Sequence, residues 1–326
     1  MALSAAASEV ETRLRSGGVD IIDPLSVVFP AQNRPSARAI AVYCAAAGEA
    51  ARVDASGSAA QAVRLLTRAL ASADAASDAG LAALSAYRLG MAALASAGWS
   101  SGSRSAEGPA PIALGAEAAA GSAACTAVLA PTGAGSSRGP VSPDRAFECS
   151  ADRALASGTP ALAARARLRL ARLRLEATDT LPALASMLRQ LSASTALAGL
   201  DAALMAPAGP QRAMLLGRLS ETALDAGAGA NPTIVRAIAA MREGASNDRA
   251  IAANAAAIEA RVAMARNDPL GAAAGLRRAI FLESQSTAPL RLPDWYMLLA
   301  EVEPENRDRH VAAAYAALEA VRPLLP

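Results

Sequence analysis

Two Ala-dense apolar runs flank Asn267-Asp268-Pro269 in the stretch from Ser246 to Leu282, and this pattern allows little besides a pair of antiparallel helices. Ala, Leu, Met and Arg are good helix formers. Asp268 can cap the second helix, and Pro269 suits its first turn, where a missing backbone donor costs no hydrogen bond. Within that helix Ala272, Leu276 and Ala279 fall at i, i+4 and i+7 and share the face turned to the preceding helix. Small residues there let the two backbones approach.

The same arrangement recurs after Gly57, where the chain reads GSAAQAVRLLTRALAS. Ala62, Leu66 and Ala69 repeat the offsets of Ala272, Leu276 and Ala279, Arg68 matches Arg278, and Gly57 and Asn267 hold the turn positions. Both stretches resemble the tetratricopeptide repeat, in which a turn precedes a second helix carrying small residues seven apart. The bulky first-helix positions of that family are filled mainly by Ala. Tyr87, Leu89 and Gly90 resemble its first-helix pattern, with Gly98 one residue off register. The resemblance implies an all-α fold: stacked antiparallel helix pairs forming a right-handed, tetratricopeptide-like superhelix with degenerate repeats.

Composition agrees with helices. Of the 326 residues 53% are hydrophobic but only 3% aromatic, so the core must be built from Ala, Leu, Val and Ile. No run of alternating β-branched residues supports a sheet. All 31 basic residues are Arg, a bias that GC-rich coding explains together with the abundance of Ala and Gly. Against 29 acidic residues they leave a net charge of +2, with no basic block to serve as an electrostatic footprint for nucleic acid. No uninterrupted apolar run reaches the roughly 20 residues of a membrane helix, and MALSAAASEVETRLRS lacks the pattern of a secretory signal, so a cytoplasmic location is expected. Cys44, Cys125 and Cys149 are widely spaced, with no CxxC or Cys/His grouping. They read as small buried hydrophobes in a reducing compartment, and no metal site or cofactor is expected.

Three regions follow from the pattern: N-terminal helical repeats over 1–98, a loop-rich insertion with a weak helix over 99–143, and C-terminal helical repeats over 144–326 ending in a connector helix. In the first, a short helix over 2–16 and a Pro-bearing connector with an apolar plug at 27–29 precede helices over 35–53, 58–73 and 78–97. In the second, Ser/Gly/Pro-rich loops at 98–111 and 131–143 enclose 112–130 and read as a surface insertion. In the third, helices are expected over 144–157, 159–177, 180–197, 210–226 and 232–243, stopped by Gly-containing loops, and then in the pair within 246–282. Trp295 and Tyr296 lie on a short helix that seals the array. Glu303 and Glu305 begin the last helix, 304–322, where carboxylates favour the helix dipole.

The helix over 159–177 is the most charged. On a helical wheel Arg165, Arg169 and Arg172 form one stripe and Arg167 and Arg174 another, with leucines on both remaining sides, as an internal helix of a stack requires. The first stripe is the candidate binding site, suited to an acidic peptide or phosphate. No catalytic residue is expected. The single histidine, His310, reads as an exposed helix residue, and without lysine a P-loop is impossible.

The tail HVAAAYAALEAVRPLLP, through Ala314-Tyr315, Ala317-Leu318 and Arg322-Pro323-Leu324-Leu325-Pro326, resembles the helix that precedes the caspase-like CHAT domain in bacterial repeat proteins. In that family the repeats act as sensor or scaffold and the following domain carries a His/Cys dyad. The resemblance implies the regulatory half of such a protease, whose partner is a protein, a peptide or a C-terminally fused domain. Two alternatives stand beside it. A transcriptional sensor would need a DNA-binding helix-turn-helix outside these residues, and a small-molecule binder would need convergent polar groups in an inter-helix pocket.

Overall fold

A computed structural model describes residues 37–53, 58–96, 125, 141–244, 248–286 and 289–324. The readings at 2–33, at Gly57, at Gly98 and the 98–140 insertion apart from Cys125, and at Leu325-Pro326 lie outside the described residues. The fold is all-α: the described residues form twelve α-helices and no strand. In chain order they are α1 (Ala37–Val53), α2 (Ala59–Ala75), α3 (Ala79–Ser96), α4 (Pro143–Ala156), α5 (Pro160–Thr180) and α6 (Ala185–Met205). Then come α7 (Pro210–Asp225), α8 (Pro232–Gly244), α9 (Arg249–Ala265), α10 (Pro269–Glu283), α11 (Leu292–Val302) and α12 (Arg307–Val321). The chain forms two compact units, residues 1–162 and 163–326. The boundary between them falls within α5, and α4 seats on α3.

In the first unit each helix packs on the next, α1 on α2, α2 on α3 and α3 on α4. The shared core is Ala62, Leu66, Leu70 and Ala73 of α2 against Ala82, Ala86, Leu89 and Ala92 of α3. Ala62, Leu66 and Ala69 are all fully buried, as their spacing predicts. α4 joins this core through Ala146 and Cys149, with two further contacts beside them. The Phe147 ring fills the notch left by Gly90 and meets Tyr87 edge-on at 5.8 Å, and the buried Ser150 hydroxyl donates to the Ala83 carbonyl at 2.9 Å.

The second unit repeats the device. Ser192 on α6 donates to the Ala171 carbonyl of α5 at 2.8 Å, and Gly199 lets α6 close on α7, since a Cβ there would lie 2.7 Å from Leu219 Cδ2. Gly199 therefore sits inside a helix that runs on to Met205, where a stop near residue 197 was expected. At the α9/α10 crossing a Cβ on Gly275 would fall 2.9 Å from that of Ala260, and Ala272, Leu276 and Ala279 are fully buried. Trp295 and Leu299 of α11 complete that core, with Tyr296 packed at its edge. α11 and α12 form the last pair.

Asp268 accepts from the Gly271 amide at 2.9 Å with Pro269 in the first turn, so both ends of the Asn267-Asp268-Pro269 signal act as their chemistry dictates. Asn267 itself is left-handed, with φ 56°, and lets the Asp268 amide reach back to the Ala263 carbonyl at 2.9 Å. The same closure recurs at Ser77 (φ 55°), Gly158 (φ 67°) and Gly227 (φ 86°), through Asp78 N–H to Ala73, Thr159 N–H to Ala154 and Ala228 N–H to Ala223. These are Schellman turns, each satisfying the carbonyls that a helix end leaves open.

Candidate functional site

α5 carries two arginine stripes with different fates. Arg167 donates to the Ala198 carbonyl at 2.7 Å and Arg174 to Thr195 Oγ1 at 2.6 Å, so this stripe pins α6 against α5. Both side chains are half-buried, each with a guanidinium donor engaged on α6. Leu168, Leu170 and Leu173 are buried beside them, as an internal helix requires.

Arg165, Arg169 and Arg172 lie on the other stripe. Arg165 and Arg169 are exposed and Arg172 is half-buried. None of the three forms an ion pair with a described carboxylate, whereas some arginines of the same unit are matched, Arg236 with Asp201 and Arg261 with Asp225, both at 2.7 Å, and Arg291 with Glu221 at 2.6 Å. The structure thus places all three predicted residues on one open helix face and spends their two neighbours on packing. Beyond Arg172 an open cleft of about 490 Å³ lies where the ends of α5 and α7 meet α6, walled by Glu176, Asp179, Asp225 and Arg189. Asp225 is already taken by Arg261, so the cleft is a mixed-charge surface without a convergent set of free groups.

Two polar arrangements were not visible in the sequence. Glu303 is not a solvated carboxylate at the head of the last helix. It caps the end of α11, is buried, and accepts from both Arg277 of α10 and His310 of α12, the latter at 3.0 Å. His310 is correspondingly not an exposed helix residue, since its side chain retains 13% exposure beneath this pair. A short 3-10 turn at Pro304–Asn306 delays the start of α12 and so lets position 310 fold back onto 303. The second arrangement joins Arg291, ahead of α11, to Glu221 of α7 and to the buried Asn254 of α9, each at 2.6 Å.

The expectation of three reduced cysteines is corrected. Cys125 and Cys149 form a disulfide with their Cα atoms 4.8 Å apart, packed in the core between α2, α3 and α4. Cys44 remains a buried thiol, and burial pushes its pKa up to about 11, which the charge of Arg68 only partly opposes. Such a thiol is poorly nucleophilic at neutral pH. No group of three metal-ligating side chains comes together among the described residues, and no helix of the described residues is long and apolar enough to cross a membrane. Compared with known proteins, the chain matches no family model and no curated sequence.

Proposed function

We propose that the chain is a non-catalytic helical-repeat scaffold that binds an acidic stretch of another protein along Arg165, Arg169 and Arg172. The observation that carries this reading is the division on α5: one arginine stripe is engaged by α6, and the other forms no ion pair with a described carboxylate. Guanidinia about one turn apart, roughly 4.5 to 6 Å along the axis, present paired donors that suit carboxylates on a partner chain. A protein ligand fits better than nucleic acid because the net charge is only +2. Each exposed pair contributes at most about 1 kcal/mol, so affinity requires the whole stripe and weakens with salt.

The non-catalytic part of the reading is supported by the state of the nucleophiles. Two cysteines are joined in a disulfide, the third is a raised, buried thiol, and His310 is engaged by Glu303. The tail's resemblance to the helix before a CHAT domain refines the role to the sensor or scaffold half of such a protease, with α12 as the connector. A cytoplasmic setting is what that resemblance implies. The disulfide pulls the other way, because such bonds persist mainly in oxidising compartments.

Fluorescence anisotropy of a labelled Glu-rich peptide against the full chain tests the site. Replacing all three arginines by Gln is expected to weaken binding by about tenfold or more and to flatten its salt dependence, while Arg278→Gln leaves both unchanged. Equal affinity of the triple variant and the parent removes the proposal.

A further inference from the structure

We infer that the Cys125–Cys149 disulfide is a redox-sensitive clasp on the N-terminal unit alone, shielded from thiols while that unit is closed and weakening it once reduced. All three cysteines of the chain fall within residues 1–162, so thiol–disulfide exchange has no direct target in the unit that carries the arginine stripe. Cys125 is 1% exposed and Cys149 fully buried, in the same core as Leu66, Leu70 and Leu89. Cys149 stands on α4 between Phe147, seated on Gly90, and Ser150, bonded to the Ala83 carbonyl. The bond therefore ties residue 125 to the part of α4 that holds the unit together.

Reduction is ordinary thiol–disulfide exchange. The thiolate of a small thiol attacks one sulfur, the S–S bond breaks, and the released thiolate takes up a proton. A second thiol then resolves the mixed disulfide. The products are Cys125 and Cys149 as thiols and the small thiol as its own disulfide, with two electrons and two protons transferred. Because neither sulfur is accessible, attack must wait for this core to open. Cys44 takes no part: its raised pKa leaves almost no thiolate at neutral pH.

The test uses the full chain purified without reductant. Alkylation after denaturation is expected to find one free thiol before reduction and three after it. Hydrogen exchange read by peptide is expected to show amides of α3 and α4 exchanging roughly thirtyfold faster or more in the reduced protein, with α9 and α10 unchanged. Gly90→Ala, which unseats Phe147, is expected to speed reduction by dithiothreitol. Cys125→Ser is expected to copy the reduced exchange pattern and Cys44→Ser the oxidised one. Three free thiols in the unreduced chain would overturn the inference, as would equal exchange of α3 and α4 in both redox states. Should Cys125→Ser fail to fold, the thiol titration and exchange of the parent chain still decide.

Discussion

Gly90 lies directly beneath the Phe147 ring, so close that a Cβ at position 90 would come within 2.7 Å of Cε1 and 2.9 Å of Cδ1 and Cζ. Phe147 is fully buried and cannot swing aside without leaving a hole. Gly90→Ala is therefore expected to destabilise the first unit by about 1 to 3 kcal/mol in spite of alanine's higher helix propensity. Adding Phe147→Leu should cost less in the Gly90→Ala background than in the parent. Strictly additive losses in urea denaturation would show that the two residues do not conflict.

Ala272 sits at the α9/α10 crossing with no exposed surface, whereas Ala274 on the same helix is exposed. Ala272→Leu is expected to overpack the crossing and cost roughly 1 to 3 kcal/mol. Ala274→Leu, by contrast, is expected to stay within about 0.5 kcal/mol of the parent. Equal denaturation midpoints for the two variants would refute the packing assigned to this face.

The left-handed turns give a prediction of opposite signs. Ser77 and Asn267 hold φ of 55° and 56°, where a β-carbon is unfavourable, so glycine at either position is expected to stabilise by up to about 1 kcal/mol. Gly227, at φ 86°, has open space around it, yet Gly227→Ala is expected to cost about 1 kcal/mol because strain is set by the backbone and not by neighbours. A stabilising Gly227→Ala would contradict the turn geometry.

Much of this was legible beforehand. Asp268, Pro269 and the Ala272/Leu276/Ala279 face need only capping chemistry and helical spacing, and all are local. Gly199 was misread as a stop, because a glycine that ends a helix and one that admits a neighbouring helix look alike until Leu219 is in place. The two arginine stripes of α5 are visible on a wheel. Which of them is spent depends on α6, and only the fold supplies that. The Cys125–Cys149 pairing and the burial of Glu303 between Arg277 and His310 were likewise hidden, since both need residues from separate elements to converge.

Glu49 supplies a pH dependence. Hydrogen bonds from Arg52 at 2.7 and 2.8 Å hold its carboxyl below the ordinary 4.5, against a smaller opposing effect of burial and with help from the nearby charges of Arg52 and Arg88. A depressed carboxylate contributes stability that is complete above its unfolded value and is lost as pH falls through the folded one. Glu49→Gln is therefore expected to lower stability at neutral pH and to leave a shallower decline on acidification below about pH 4.5. Parallel acid-denaturation curves for parent and variant would rule this out.

The Schellman turns bear on how the chain acquires its structure. Each is closed by a hydrogen bond reaching back five positions, from Asp78 to Ala73, Thr159 to Ala154, Ala228 to Ala223 and Asp268 to Ala263. A corner can thus be turned before any distant segment has arrived, and chains dominated by such short-range contacts fold quickly. Nucleation is available at four separate places, and a lesion at one corner leaves the others able to form. Damage in this molecule is expected to spread as local fraying, helix pair by helix pair, and not as a single collapse.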